Sequence, residues 1–494
     1  MAHESSPAAP RVTANRSALP TTPEFREYIS SNWAEHPDLT PSPRVAAPYA
    51  AMRRQRISAQ YPGMRLIVPA GPARVRSNDT DHPYRAHSAF AYLTGWGSDA
   101  VPDSVLVFEP TADGHDATLY FLAAAGRDTT EFYANAAVGE FWTGPRPSLA
   151  HVAADLGLPT RALADLEAVL DAVDASTLVV RDADPGLTDQ IDGRRLLAAV
   201  DAETVDDEAD AALASDLSEL RFVKDEWELS EMRAAVDATK RGFDEIIADL
   251  PAAIAVERGE RIVEGTFNRR ARLDGNTVGY DTIAASGPHA CYLHWTRNDG
   301  PVVPGDLLLI DAGVELDSLY TADITRTLPV NGRFSDIQRK VYDAVLEAAD
   351  AARAIVKPGI RFREVHAEAM RVVAEKTASW GLLPGSAEES LDTGQWHRRY
   401  MIHGTSHHLG LDVHDCAKAR RELYLEGVLE PGMVFTIEPG LYFQADDLTV
   451  PEEYRGIGVR IEDNIVVTED GCELLSGDIP RTAEAVEAWM RALA

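Results

Sequence analysis

Residues 403 to 415 read HGTSHHLGLDVHD and place four histidines (His403, His407, His408, His414) and two aspartates within thirteen positions. The chain holds 14 histidines in 494 residues, so this is a heavy local excess. Imidazoles gathered this way suit two kinds of chemistry: the neutral ring binds metal, and a ring that titrates near neutral pH moves protons. Four acids stand in unusual places nearby. Asp311 follows LLLI, Asp323 lies in TADITRT, Glu438 follows VFTI and precedes Pro-Gly, and Glu462 lies in GVRIEDNIVV. A carboxylate at the end of an apolar run is costly to bury unless it is paired or bound to a cation. Each acid taken singly reads as a buried ion pair or a turn residue. Four of them plus a histidine cluster, all in one half of the chain, read as a metal site. Four carboxylates can bridge two divalent cations, and one imidazole can complete the set; such cations sit roughly 3.5–4 Å apart, activate a water and polarise a carbonyl. An oxygen-rich set with one nitrogen suits manganese or cobalt better than a thiolate-bound zinc. In a continuous strand Arg460 and Glu462 share a face, so the arginine can orient or neutralise the acid.

These groups need elements to hold them. The runs LLLIDAGVEL, ITRTLPV, HHLGLDV, MVFTIEPGLYF and GVRIEDNIVVT read as strands. An amphipathic helix is expected from about Asp225 to Leu250, with Leu229, Met232, Val236, Phe243, Ile246, Ile247 and Leu250 as its apolar stripe. A second begins at Ser335, where Ser335 and Gln338 form a capping box, and stops at Lys357–Gly359. A third spans about Phe362 to Ala378. The second half is therefore α+β, a sheet backed by helices. In the first half, MRLIVPAG, DSVLVFEP, ATLYFLAA and STLVVRDAD read as buried strands, with helical patterns such as PYAAMRRQRISAQY and ADLEAVLDAVD between them. That alternation predicts an α/β domain. The organisation expected is a mobile arm over 1–45, an α/β domain over 46–215 and a catalytic domain over 216–494. A short helix is expected near TPEFREYISSNW, and the acidic, alanine-rich 200–221 stretch is the seam.

Composition sets outer limits. A hydrophobic content of 45% is ample for large cores, and the formal charge is −32. Nucleic acid is excluded as a partner, because phosphates call for a basic footprint. Three cysteines, Cys291, Cys416 and Cys472, are too far apart for a CxxC site and point to a reducing compartment. No window approaches the roughly 20 apolar residues that span a bilayer, and MAHESSPAAPRVTANRSALP has no apolar run of a signal peptide. A soluble, cytoplasmic protein with no membrane partner is expected.

LLLIDAG with TADITRTLPVNGRFS, HGTSHHLGLDVHD, PGMVFTIEPGLYF and GVRIEDNIVVTEDG together resemble the motifs of the aminopeptidase P (Xaa-Pro aminopeptidase) family. NDTDHPYRAHSAFAYLTGW resembles part of that family's N-terminal domain, although Ala89 stands where relatives often carry an acid. The resemblance implies a creatinase/prolidase-like α/β N-terminal domain and an α+β "pita-bread" catalytic domain. It implies two divalent metal ions per chain, with manganese favoured and cobalt or zinc as alternatives. The implied ligands are Asp311, Asp323, His407, Glu438 and Glu462. Catalytic roles fall on His414, Glu438, His294 and Arg460. A pocket for the proline ring falls on His403, Tyr280, Leu293 and Val413, with Arg460 beside it; His408 is expected to pack. The implied reaction is hydrolysis that releases the first residue of a peptide with a free amino terminus and proline in second position. A homo-oligomer, dimer or tetramer, is implied as well. Two alternatives stay open here: a prolidase cleaving Xaa-Pro dipeptides, and a non-catalytic binding module on the same fold.

Overall fold

Each apolar run of the first half becomes a strand. Arg65–Pro69 pairs antiparallel with Val105–Thr111 and parallel with Thr177–Val179; Gly114–Phe121 and Thr160–Ala162 extend the same five-stranded sheet. Ile67, Val107 and Val179 are wholly buried and pack with Leu187 and Ile191 of the helix Pro185–Ala198. This computed structural model describes residues 20, 22–34, 40–78, 80–198 and 207–493. Much of the expected N-terminal arm and part of the expected seam lie outside the described residues. Within the arm, Pro23–Ser30 is a helix whose first turn is closed by the Thr22 hydroxyl accepting from the Phe25 N–H. Within the seam, Glu208–Glu219 is helical. The chain divides into two units, Met1–Ala214 and Ser215–Ala494.

The second unit opens with the helix Glu226–Ile254, started by a capping box between Asp225 and Glu228. Met232, Val236, Phe243, Ile246, Ile247 and Leu250 are buried along its stripe. At Gly242 the ring of Phe267 from the helix Gly259–Asp274 comes so close that a Cβ would meet it at 2.6 Å. The helix Asp336–Ile355 starts from the Ser335–Gln338 capping box, and Phe362–Ser379 follows.

The strands form several small antiparallel sheets rather than the one sheet the sequence suggested. Leu307–Ala312 lies between Ile324–Pro329 and Ile283–Ser286, Val314–Glu315 pairs with Thr277–Val278, Val434–Ile437 with Asp463–Val467, and Gly440–Tyr442 with Gly458–Arg460. Two expected strands are broken in the middle. The ladder is regular at Ile437 with Asp463 and again at Gly440 with Arg460, leaving Glu438–Pro439 opposite Ile461–Glu462. Pro439 has no N–H to donate, and the Glu462 N–H turns to Thr325 O of another strand at 3.1 Å. Arg460 and Glu462 therefore do not owe their common direction to a continuous strand.

HHLGLDV is not a strand. It makes one isolated bridge, His408 with Phe435. Residues 405–409 do run beside Val434–Ile437, but the His407 N–H goes to the Thr436 hydroxyl at 3.1 Å instead of to a carbonyl. Beyond it the chain bends, with the Gly410 N–H bonded to Asp412 O.

Gly313 shows how tightly the acids' supports are packed. It follows Asp311–Ala312, and a Cβ there would collide with the carbonyl of Ala322 and press on the Tyr280 ring. Gly313→Ala should therefore push apart the segments that carry Asp311 and Asp323. The expected loss is about 1–3 kcal/mol, typical of overpacking, read by denaturant unfolding and accompanied by lost activity. A variant as stable and active as the parent would show that the segments yield freely.

Candidate active site

The strand breaks and bends just described converge on one cavity of ≈ 680 Å³. Its lining includes all twelve residues singled out in the sequence: Tyr280, Leu293, His294, Asp311, Asp323, His403, His407, Val413, His414, Glu438, Arg460 and Glu462. Asp311 and Thr325 are paired across neighbouring strands, and Asp323 stands two positions before Thr325, on the same face. Glu438 and Glu462 sit in the facing strand breaks. Four acids from four chain segments thereby meet.

Asp311, Asp323 and Glu462 are nearly inaccessible, at 7%, 5% and 1% exposure. One ligand atom from each of Asp323, His407 and Glu462 lies within 4.8 Å of the other two, a group able to hold a metal ion. Glu438 joins them through His407, whose Nε2 is 3.5 Å from Glu438 Oε1 and 3.2 Å from Asp323 Oδ2. Asp311 joins through Tyr280, whose hydroxyl is 2.6 Å from Asp311 and 2.5 Å from Asp323. Burial, then the charge of Asp311 and Asp323, pushes the Tyr280 phenol well above its usual pKa, so it stays a donor.

Arg460 is the one basic side chain other than histidine that lines the cavity among the described residues. Its Nη2 donates to Asp311 at 2.5 Å, its Nη1 to Tyr442 at 3.2 Å and its Nε to Thr325 at 3.0 Å. The acid it neutralises is thus Asp311, and Glu462 instead accepts from the Thr325 hydroxyl at 2.8 Å. One guanidinium facing four carboxylates leaves excess negative charge. Burial first, then repulsion from neighbouring acids, holds Asp323, Glu438 and Glu462 well above the ordinary carboxylate range. Glu462 Oε1 is buried without a hydrogen-bond partner. A donor set of this kind, oxygen-rich and short of positive charge, fits divalent cations.

The histidines are sorted by their second nitrogen. His407 Nδ1 lies 3.1 Å from His408 O. A carbonyl can only accept, so Nδ1 carries the proton and Nε2 turns its lone pair to the acids. His403 likewise donates from Nδ1 to Gly404 O at 2.6 Å, and its Nε2 meets the Tyr442 hydroxyl at 2.8 Å. Burial, then Arg460, lowers His403 to about 3. His414 stands with its ring 4.3 Å from that of His407. Loss of surrounding water, then the nearness of His407 and His294, lowers it to about 4. His294 is an exposed residue on the rim. His408 is absent from the lining: it is buried between Phe362, Phe222 and Tyr424, with ring centroids 4.5, 4.6 and 4.9 Å away.

Sequence reasoning missed Thr325, Tyr442 and Tyr424. Thr325 was legible, because the period of a strand puts it on the face of Asp323. Tyr442 was hidden by the break at Pro439, which resets the alternation, and Tyr424 comes from a short helix, Arg421–Tyr424, with no motif around it.

The described helices include none long and apolar enough to cross a membrane. Residues 230–469 match the model of metallopeptidase family M24, and residues 50–180 match the aminopeptidase P N-terminal domain. The chain is 54% identical over 474 residues to Xaa-Pro aminopeptidase 2 of Streptomyces coelicolor, covering 94% of this chain and 96% of that one. It is 35% identical to the Xaa-Pro aminopeptidase of Escherichia coli, covering 89% and 96%. The solved structure of Pseudomonas aeruginosa aminopeptidase PepP superposes with a TM-score of 0.77 at 32% identity, over 91% of this chain and 99% of that one. Strand-end acids, a metal-competent imidazole and a two-part chain thus coincide with likeness over nearly the full length of these relatives: the chain belongs to the Xaa-Pro aminopeptidases of metallopeptidase family M24, metal-dependent enzymes with a pita-bread catalytic domain.

Proposed function

We propose that this chain removes the amino-terminal residue from peptides whose second residue is proline. The observation that carries the reading is the convergence of Asp311, Asp323, His407, Glu438 and Glu462 on one cavity that His294, His403, His414, Leu293, Val413 and Tyr280 also line. These four acids and one imidazole would hold two divalent cations, which would supply a Lewis acid for the carbonyl and lower the pKa of a bound water. The oxygen-rich set favours manganese, with cobalt or zinc as alternatives. Glu438, which lines the cavity beside the other acids, takes the proton from the attacking water and passes it to the leaving imide nitrogen. His414, neutral at pH 7 because its pKa lies near 4, donates to the oxygen that gains charge. Arg460 orients Asp311, and its bond to Tyr442 extends through that hydroxyl to His403. Tyr280, Leu293, Val413 and His403 enclose the flat ring of proline, whose fixed φ presents one shape. Three free cysteines, two of them buried, support a reducing cytoplasmic setting. A homo-oligomer, dimer or tetramer, is the assembly proposed, with domain boundaries near 46, 215 and 494.

Removal of the cations gives a thermodynamic test. Asp323, Glu438 and Glu462 have folded pKa values above their unfolded ones, so the metal-free fold binds more protons than the unfolded chain. Their contribution is therefore present at low pH and is lost as pH rises above about 4. A bound cation displaces those protons. Added Mn²⁺ should raise the Tm of the metal-free protein, more at about pH 8 than at about pH 5. An equal rise at both values, or none, counts against a carboxylate metal site.

Two histidine variants separate the roles. His407→Ala should lower metal content in elemental analysis. His414→Ala should keep the metals and lower kcat by roughly a hundredfold or more, as for loss of an oxyanion donor. The reverse pattern would exchange the two assignments.

Substrate is tested with a matched set: Xaa-Pro-Xaa, Xaa-Pro and Xaa-Ala-Xaa, with free and blocked amino termini. The free proline tripeptide should be cleaved best. The alanine analogue should be about ten- to two-hundredfold slower, the worth of an unfilled apolar pocket. Blocking the amine should abolish cleavage. A dipeptide cleaved faster than the tripeptide would point to a prolidase, and no cleavage at all to a binding module.

A further inference from the structure

The part of the cavity wall made by Leu293, His294 and Thr296 has no regular backbone of its own. The strand Ile283–Ser286 passes into a 3-10 turn, Gly287–Cys291, and the chain from there to residue 300 is irregular. Fixing such a loop costs backbone entropy, so bonds from outside the loop must hold it.

Glu260 supplies them. It lies in the first turn of the helix Gly259–Asp274 and is fully buried, at 0% exposure. Its Oε1 accepts from the Ser286 N–H and from His289 Nδ1, both at 2.8 Å. Its Oε2 accepts from Trp295 Nε1 at 3.0 Å and from the Gly300 N–H at 2.7 Å. Two bonds per oxygen fill the acceptor sites of a carboxylate and offset its loss of water. They also leave no lone pair for chemistry, and Glu260 does not line the cavity. The four donors come from both ends of the loop and from two points inside it. His289 and Trp295 stack at 3.9 Å between ring centroids, 26° from parallel, so the two inner donors brace each other. Trp295 follows His294 directly. Fixing the indole fixes the backbone from which His294 projects. Other bonds hold the flanks: Gln444 donates to Cys291 O at 2.8 Å, and Asn298 bonds to Ala284 N and Thr282 O.

We infer that Glu260 is a positioning residue for the reaction, setting where His294 stands on the cavity wall. The inference rests on the catalytic role that the family resemblance implies for His294. Its test is a double-mutant cycle on the metal-loaded enzyme, reading kcat and KM with an Xaa-Pro-Xaa tripeptide. Glu260→Gln keeps the shape but turns an amide donor toward the loop's own donors. Trp295→Phe keeps the stack on His289 and removes one donor. Glu260→Gln should lower kcat/KM by up to about a hundredfold, the scale for a misplaced group, and Trp295→Phe by less. Metal content and unfolding temperature should stay near the parent's. Neither change should lower kcat/KM further in a His294→Ala background. If Glu260→Gln does not fold, Trp295→Phe completes the cycle. Additive losses in the His294→Ala background would show that the carboxylate serves the fold in general, which overturns the inference and leaves the cavity reading intact. An unchanged kcat/KM for His294→Ala overturns the role of His294 and the inference with it. Full activity of the folded Glu260 and Trp295 variants overturns the inference alone.

Discussion

Four carboxylates packed around a single guanidinium are the constraint on which the catalytic unit depends. Burial raises Asp323, Glu438 and Glu462 most, and like charges a few ångströms away add to the resistance to ionisation. Such a cluster survives only where the backbone gives it no room to spread. The structure meets that demand by taking the acids from separate segments, each fixed by its own bonds. Asp311 is held by strand pairing on both sides. Asp323 is held from behind by Asn464, whose side chain receives the Asp323 N–H and donates to its carbonyl. Glu438 has its N–H bonded to Thr405 O, and Glu462 its N–H to Thr325 O. A bound cation would offset that repulsion and displace the protons that the raised acids keep.

Five successive residues show how closely the duties are divided. Arg460 reaches Asp311; Ile461 enters the hydrophobic core; Glu462 faces the cavity. Asp463 turns the other way and is clamped between Arg326 at 2.7 Å and Arg481 at 2.5 Å. Asn464 holds Asp323. Asp463 has two cations for one acid, and they keep it below the ordinary carboxylate range in spite of its burial. Glu462 beside it has no such partner and is pushed up. Adjacent acids in one sequence thus play opposite electrostatic roles, one structural and one open to a cation.

The cavity is lined by loops as much as by strands, and the loops are held by buried polar groups instead of by ladders. The 403–415 segment takes one bridge from His408 and side-chain support from Thr436. Asp415, next to His414, is buried against Lys224 at 2.9 Å and Arg221 at 3.2 Å, and these cations lower it to about 2 against the penalty of burial. Where the segment runs extended beside Val434–Ile437, successive side chains point to opposite sides, so His407 faces the acids while His408, its neighbour, is packed among aromatic rings.

Much of the site was legible in the chain itself. Acids at the ends of LLLI and VFTI are conspicuous because burying them carries a penalty that only a partner offsets, and the density of histidines in 403–415 marks the same place. Helix starts were equally plain: the Ser335–Gln338 box is local chemistry, complete within four residues. What the chain could not show is where the periodic reading stops. Pro439 and the facing Ile461–Glu462 break their ladders only because two strands and a third meet there, and HHLGLDV has a strand's composition without its pairing. The partner of Arg460 was likewise undecided, since Glu462 is near in sequence while Asp311, 149 positions away, is near in space. Residue type and local spacing determine which groups want a partner. Which partner each receives depends on contacts between segments far apart in the chain, and those exist only once the sheets have packed.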